Sequence, residues 1–223
     1  MERKIITTSD GSKTIHLPEW DEQYHSKHGA IQEAYHVFIE MGFFYFLNTF
    51  QSKDLNILEV GFGTGLNAFI TLIETQKRNA SVHYTGVEAY PITDNEFDQL
   101  NYHQQLNTPE DDFLKLHSSP WEQNLELNPN FHLLKRKHFF SEIQDINQYD
   151  LIYFDAFGAR IQPELWTEEI FKKMFDALKN NGVLVTYSAK GSVRRAMQAV
   201  GFTVERLPGP PGKREMLRAC KVD

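Results

Sequence analysis

Ile57-Leu58-Glu59-Val60-Gly61-Phe62-Gly63-Thr64-Gly65-Leu66-Asn67 decides the fold: an apolar strand runs straight into a glycine-rich turn that opens a helix. Glycines at 61, 63 and 65 permit positive φ and let backbone N–H groups come close to a ligand, which is how α/β proteins hold nucleotides. A turn of this kind also occurs as plain strand-to-helix punctuation, so its neighbours must choose between the two readings. A phosphate-cradling P-loop needs Gly-Lys-Ser/Thr, whereas Gly65 is followed by Leu66-Asn67. A Walker type of site is therefore not expected.

Outward from the turn, strand and helix patterns alternate. Asn56 to Val60 is followed by a helix from about Leu66 to Lys77, then a strand over Val82 to Val87 and a helical pattern over Thr93 to Leu106. Further strands are predicted at Phe131 to Lys135, Leu151 to Phe154, Val183 to Tyr187, Thr203 to Leu207 and Glu215 to Lys221. Thr167 can cap a helix that closes at Asn180-Asn181-Gly182, and Ser192 to Val200 forms another, closed by Gly201. Such alternation predicts a mostly parallel seven-stranded sheet covered by helices on both faces. Between the last two strands lies Pro208-Gly209-Pro210-Pro211-Gly212, too short for a crossover helix, so the final strand should run antiparallel.

Ahead of this core, Lys4 to Thr8 and Lys13 to Leu17 flank Ser9-Asp10-Gly11-Ser12 and read as a small hairpin. Ala30 to Phe50 carries apolar residues at helical spacing, and its Phe43-Phe44-Tyr45-Phe46 patch reads as core rather than as a stacking platform. Residues 1–50 are thus expected as a hairpin and helix packed on a domain spanning 51–223.

The 223 residues contain 41% hydrophobic residues, 13% aromatics and one cysteine, Cys220. A membrane span, an intrachain disulfide and a thiolate metal cluster are therefore not expected, and no metal is required. The N-terminus lacks the apolar core of a signal peptide, which predicts a cytoplasmic protein. Net charge is −7, yet residues 190–221 hold eight basic side chains against two acidic ones, a local +6 that leaves −13 elsewhere. Such asymmetry fits a surface facing a polyanion or, equally, a solvated basic face.

In a doubly wound sheet the ligand lies beyond the carboxyl ends of the strands. Glu59 ends the first core strand, Glu88-Ala89 follows the second, and Asp155 ends the fourth. An acid 27 residues past Gly61 suits a pair of ribose hydroxyls. Glu-x-Gly-x-Gly-x-Gly-x-Asn resembles motif I of class I S-adenosylmethionine-dependent methyltransferases, which share the Rossmann-like sheet with an antiparallel last strand. The resemblance assigns Glu59, Gly61, Phe62, Gly63, Gly65, Leu66, Asn67, Glu88 and Ala89 to the cofactor. Asp155-Ala156-Phe157-Gly158 stands where nitrogen methyltransferases place a polar residue followed by an aromatic. A carboxylate at 155 can take a proton from an attacking amine, and a ring at 157 can stack on a base.

Three further stretches are more specific. Gln162-Pro163-Glu164-Leu165-Trp166-Thr167, Ser188 to Arg195 with its Val-Arg-Arg, and Gly209 to Leu217 with its Lys-Arg-Glu-Met resemble the methyltransferase module of the MnmC family, called MnmD when it stands alone. Asp21 to Ser26 and Tyr35-His36-Val37-Phe38 extend the resemblance over nearly the whole chain. It implies methyl transfer from S-adenosylmethionine to the aminomethyl nitrogen of 5-aminomethyl-2-thiouridine at the tRNA wobble position. It implies catalysis by Asp155, with Tyr24, Phe157, Arg194, Arg195, Lys213 and Arg214 meeting the anticodon region of tRNA. Because the chain stops at Asp223, the FAD module of bifunctional relatives and its flavin are not expected. Where relatives tend to place Gly-Asp after the third strand, this chain has Lys137-His138, so the adenine partner is not assigned. A small-molecule amine methyltransferase and a noncatalytic cofactor- or RNA-binding module are the alternative readings.

Overall fold

Asp54–Val60 (β4), with its last four residues buried, becomes a central strand of an eight-stranded sheet in the computed structural model, which describes residues 2–222. Ser81–Val87 (β5) and Tyr149–Phe154 (β8) flank it in parallel, and Phe131–Arg136 (β7) and Leu178–Thr186 (β9) extend the parallel set on either side. Thr203–Pro208 (β10) and Glu215–Cys220 (β11) complete one edge in the order β10-β11-β9, with β11 antiparallel to both neighbours. The seven expected strands are present with the last one antiparallel, and an eighth strand, Asn124–Asn128 (β6), pairs antiparallel with β7 at the opposite edge.

Alternate residues of these strands feed two cores, as the period of two demands. Ile57, Tyr84, Leu133, Tyr153 and Val185 face one side, where Leu66–Arg78 (α3) and the segment 30–50 pack. Leu58, Val60, Ile152, Phe154 and Leu184 face the other, beneath Glu168–Ala177 (α7) and Gly191–Ala199 (α8). Thr167 caps α7 by accepting the Ile170 N–H, as its position predicted.

Four local expectations need correction. Residues 30–50 form Ala30–Ala34 (α1), a π-helical stretch Tyr35–Phe44 and Tyr45–Phe50 (α2). In the wider turn Val37-Phe38 and Gly42-Phe43, five apart, fall on the same buried face. The predicted helix 93–106 is two short ones, Asp94–Phe97 (α4) and Tyr102–Gln105 (α5), and an unforeseen Glu110–Ser118 (α6) follows. Asn180-Asn181-Gly182 does not end a helix: α7 stops at Ala177, and these residues form a bulge in β9 where pairing jumps from Leu178 to Val183. The N-terminal hairpin, Lys4–Thr7 (β1) and Lys13–Leu17 (β2), gains a third strand, Glu22–Gln23 (β3).

Candidate functional site

At the carboxyl end of β4 the chain turns away with Gly61 and Phe62, whose N–H groups both donate to the Val87 carbonyl at 3.0 and 3.1 Å. Gly61 has φ +95°, and a Cβ there would sit 2.5 Å from the backbone oxygen of Asp155. Only glycine lets the two strand ends approach so closely. Gly63 (φ +51°) lies against the Tyr24 ring, and its N–H donates to Glu88 Oε2 at 3.0 Å. Glu88 Oε1 accepts the Tyr90 N–H at 2.9 Å, so the carboxylate ties the glycine turn to the loop after β5.

Behind the turn, Thr64 is clamped. Tyr102 donates its hydroxyl to Thr64 Oγ1 at 3.0 Å, and His25 Nε2 lies 3.5 Å from the same atom. His117 Nε2 lies 2.9 Å from the Thr64 carbonyl. Burial, helped by the nearby Lys135 ammonium, pushes the His117 imidazole down to about 3, so the ring is neutral and Nε2 carries the donated proton. Lys135 is itself buried, donates to the His117 carbonyl at 2.7 Å and is pushed down to about 8 by burial. None of His25, Tyr102, His117 and Lys135 was given a role from the sequence, because the first three reach Thr64 from distant segments and Lys135 acts on His117.

Asp155 follows β8, its N–H bonded to Val60 O at 2.9 Å, and projects from the floor of the site. Asn67, in the first turn of α3, donates Nδ2 to Asp155 Oδ2 and to Glu59 Oε1, each at 2.9 Å. Burial and then the Glu33 charge push Asp155 up to about 7, against the lowering by Asn67 and Lys213. Glu59 is fully buried beneath the turn, and burial raises it well above the ordinary carboxylate range. It braces Asn67 from below and does not line the cavity.

A cavity of about 1350 Å³ opens over these strand ends. It is lined by Gly61, Phe62, Gly63, Leu66, Asn67, Glu88 and Ala89 on the turn side, and by Tyr24, Asp155, Phe157 and Lys213 on the other. Phe157 meets Tyr24 and Trp20 edge-on at 5.0 and 5.7 Å between centroids. Gly65 caps α3 behind the turn, outside the lining residues. Arg194 and Arg195 lie on α8 and Arg214 on the β10–β11 loop, all outside the cavity wall. Lys137 and His138 are exposed, while the following Phe139, Phe140 and Ser141 line the cavity, with Phe139 edge-on to Tyr90 at 5.9 Å. Glu33 and Tyr187 also line it. Tyr187 stands just beyond β9, so the strand-end rule that found Asp155 would have found it.

A cradle closed to any Cβ at Gly61, an acid at the second strand end and a cavity joining them to a basic carboxylate define a class I nucleoside-cofactor transferase site. Among the described residues no cluster of His, Cys, Asp and Glu is placed to hold a metal ion. No helix among them is long and apolar enough to cross a membrane. The chain belongs to an S-adenosyl-L-methionine-dependent methyltransferase family whose model matches residues 101–222.

Curated relatives carry the name tRNA 5-methylaminomethyl-2-thiouridine biosynthesis bifunctional protein MnmC. That of Cupriavidus metallidurans is 28% identical over 95% of this chain and 33% of its own length. That of Leptospira borgpetersenii is 30% identical over 89% of this chain and 32% of its own. The chain thus spans about a third of these relatives. MnmC2 from Aquifex aeolicus superposes with a TM-score of 0.77 and 25% identity, covering 98% of this chain and 70% of that one. Spermidine synthase from Thermotoga maritima, at TM-score 0.53 and 14% identity over 98% of this chain and 72% of its own, shares the fold.

Proposed function

We propose that this methyltransferase acts on the aminomethyl nitrogen of a 5-aminomethyl-2-thiouridine, or its 2-oxo form, at the wobble position of tRNA, in the cytoplasm. The names carried by the MnmC relatives support tRNA as the substrate. The observation that carries the chemistry is Asp155: a carboxylate of raised basicity in a cavity that also holds the cofactor cradle.

The residues fit S-adenosylmethionine, since Gly61 and Gly63 line the cavity as a turn without side chains and Glu88 stands beside them at the second strand end. When bound, it supplies a methyl group on a sulfonium. An aminomethyl group is largely protonated near pH 7, as alkylamines are, and must lose a proton before it can attack. Asp155, pushed up to about 7, can take that proton at its free oxygen while Oδ2 stays on Asn67. A base whose basicity lies near the working pH is the efficient one. Phe157, Tyr24 and Trp20 offer ring surface to an unpaired base, which is how single-stranded RNA is read. In this reading Arg194, Arg195 and Arg214, outside the cavity wall, meet phosphates, whose contacts supply affinity without sequence.

Incubation with labelled S-adenosylmethionine and tRNA from a strain lacking this methylation should label the tRNA. Absence of label on demonstrably aminomethylated tRNA would overturn the assignment. Glu22, Glu33, Glu164 and Glu169 give the acceptor end an acidic lining that also suits a free polyamine. Turnover of a polyamine without tRNA would establish that second reading.

A further inference from the structure

At the acceptor end of the cavity a buried carboxylate from the N-terminal segment meets an ammonium from the β10–β11 loop. The Glu33 side chain, on α1, is 9% exposed. Its Oε2 accepts the Ser26 N–H at 2.7 Å, and its Oε1 accepts Lys213 Nζ at 2.6 Å. The same Nζ stands 3.8 Å from the centroid of the Tyr187 ring. Tyr187 donates its hydroxyl to the Ala156 carbonyl at 2.8 Å, which holds the ring beside the segment carrying Asp155. A carboxylate on one side and an aromatic face on another make a receptor for a compact primary ammonium. Glu33, Tyr187, Lys213 and Asp155 all line the one cavity.

The occupant of this cage is a lysine head whose side chain is 34% exposed, on a loop outside the strands. Such a head can leave without unpairing any strand. Exchange of one primary ammonium for another leaves Glu33 paired throughout, which avoids the heavy cost of a buried carboxylate without a counter-charge.

We propose that Glu33 and the Tyr187 face form the receiving site for the acceptor's primary ammonium, and that Lys213 holds this site until an amine carried on a phosphate chain displaces it. The proposal rests on the reading of the enzyme as an amine methyltransferase and adds how it selects its amine. A displaced Lys213 needs a new anion. An amine borne on a nucleic acid brings phosphates that supply one, whereas a free alkylamine brings none and must compete with the 2.6 Å ion pair unaided. The pair therefore discriminates against free amines in a cavity whose acidic lining would otherwise attract them. Once seated, the acceptor ammonium gives its proton to Asp155: an N–H bond breaks, an O–H bond forms, and the neutral amine keeps its lone pair for the methyl group.

Ligand-observed NMR with n-butylammonium as the probe and S-adenosylhomocysteine present reads the cage without turnover. Lys213→Ala should bind the probe at least tenfold more tightly than the wild type, and adding Glu33→Gln should abolish the gain. Lys213→Met, which keeps the aliphatic stem, should show the same gain and serves if the alanine variant melts early. Equal probe affinity in wild type and both Lys213 variants, or a gain that survives Glu33→Gln, overturns the proposal. Failure of the wobble-uridine assignment would show instead as unlabelled tRNA and would leave the probe result standing.

Discussion

Replacing Asp155 by asparagine should make the protein more stable and less active at once. Asp155 rises from 3.8 to about 7 in the folded chain. Between these values the native state holds a proton that the unfolded chain has released. Stability is therefore greatest below 3.8, falls as pH rises through the window, and is flat above about 7. At about 1.4 kcal/mol per pH unit, ionised Asp155 costs the native state at most about 4 kcal/mol at pH 8. Asparagine carries no charge, and its side-chain oxygen can still accept from Asn67 Nδ2. Denaturant unfolding should show Asp155→Asn more stable by about 2–4 kcal/mol at pH 8, with the gain shrinking below about 1 kcal/mol at pH 4. Methyl transfer at pH 8 should fall by about 10²–10⁴-fold, the usual contribution of a general base, while cofactor affinity is kept. In the wild type, kcat/KM should decline tenfold per unit below about pH 7. A variant less stable than wild type at pH 8, or one within tenfold of wild-type turnover, refutes the assignment.

Gly61→Ala would drive a Cβ to 2.5 Å from the Asp155 carbonyl at φ +95°, so unfolding should report a loss of about 2 kcal/mol or more together with weakened cofactor binding. Wild-type cofactor affinity in that variant would remove the close strand approach from the cradle. Asn67→Ala strips one donor from buried Glu59 and one from Asp155 and should cost about 2–3 kcal/mol. Because Asn67 lowers Asp155, the acid limb of the rate profile should also move up, and an unmoved limb would contradict the bridge. Filter binding of tRNA across a potassium chloride series should show log affinity falling with log salt, and Arg194→Ala with Arg195→Ala should flatten the slope by about 1–2 units. An unchanged slope would take α8 out of the RNA surface.

Residues that carry their own local signal were legible in the sequence. Residues 57–60, 151–154 and 183–185 of β4, β8 and β9 are buried on both faces and, Glu59 apart, read as apolar runs, and the short 208–212 connection fixed the direction of β11. The cradle was legible because backbone geometry demands glycine at fixed spacing. β6 was not, since its first three residues are exposed and pairing with β7 alone makes it a strand. α6 buries only Phe113 and Leu116 and shows too narrow an apolar stripe. The bulge in β9 carries turn residues, with Asn181 at φ +63°, so local chemistry marked an interruption but not that the strand resumes beyond it. Glu33 and Lys213 are 180 residues apart, and no spacing rule connects them. The Glu33–Lys213 side of the cavity is built from such meetings, while the glycine-turn side is built from one continuous motif.

β11 lies between β9 and β10 although it follows both in the chain. During vectorial synthesis, β10 therefore leaves the ribosome before the neighbour it must bond, and one side of β9 stays open. Until residues 215–220 have cleared the exit tunnel, β9 is an open edge and β10 has no partner, the form most exposed to wrong partners. The loop that delivers Lys213 to Glu33 is anchored by those same two strands. A nascent chain can thus own its glycine turn while still lacking the Glu33–Lys213 contact, which the insertion of one late strand completes.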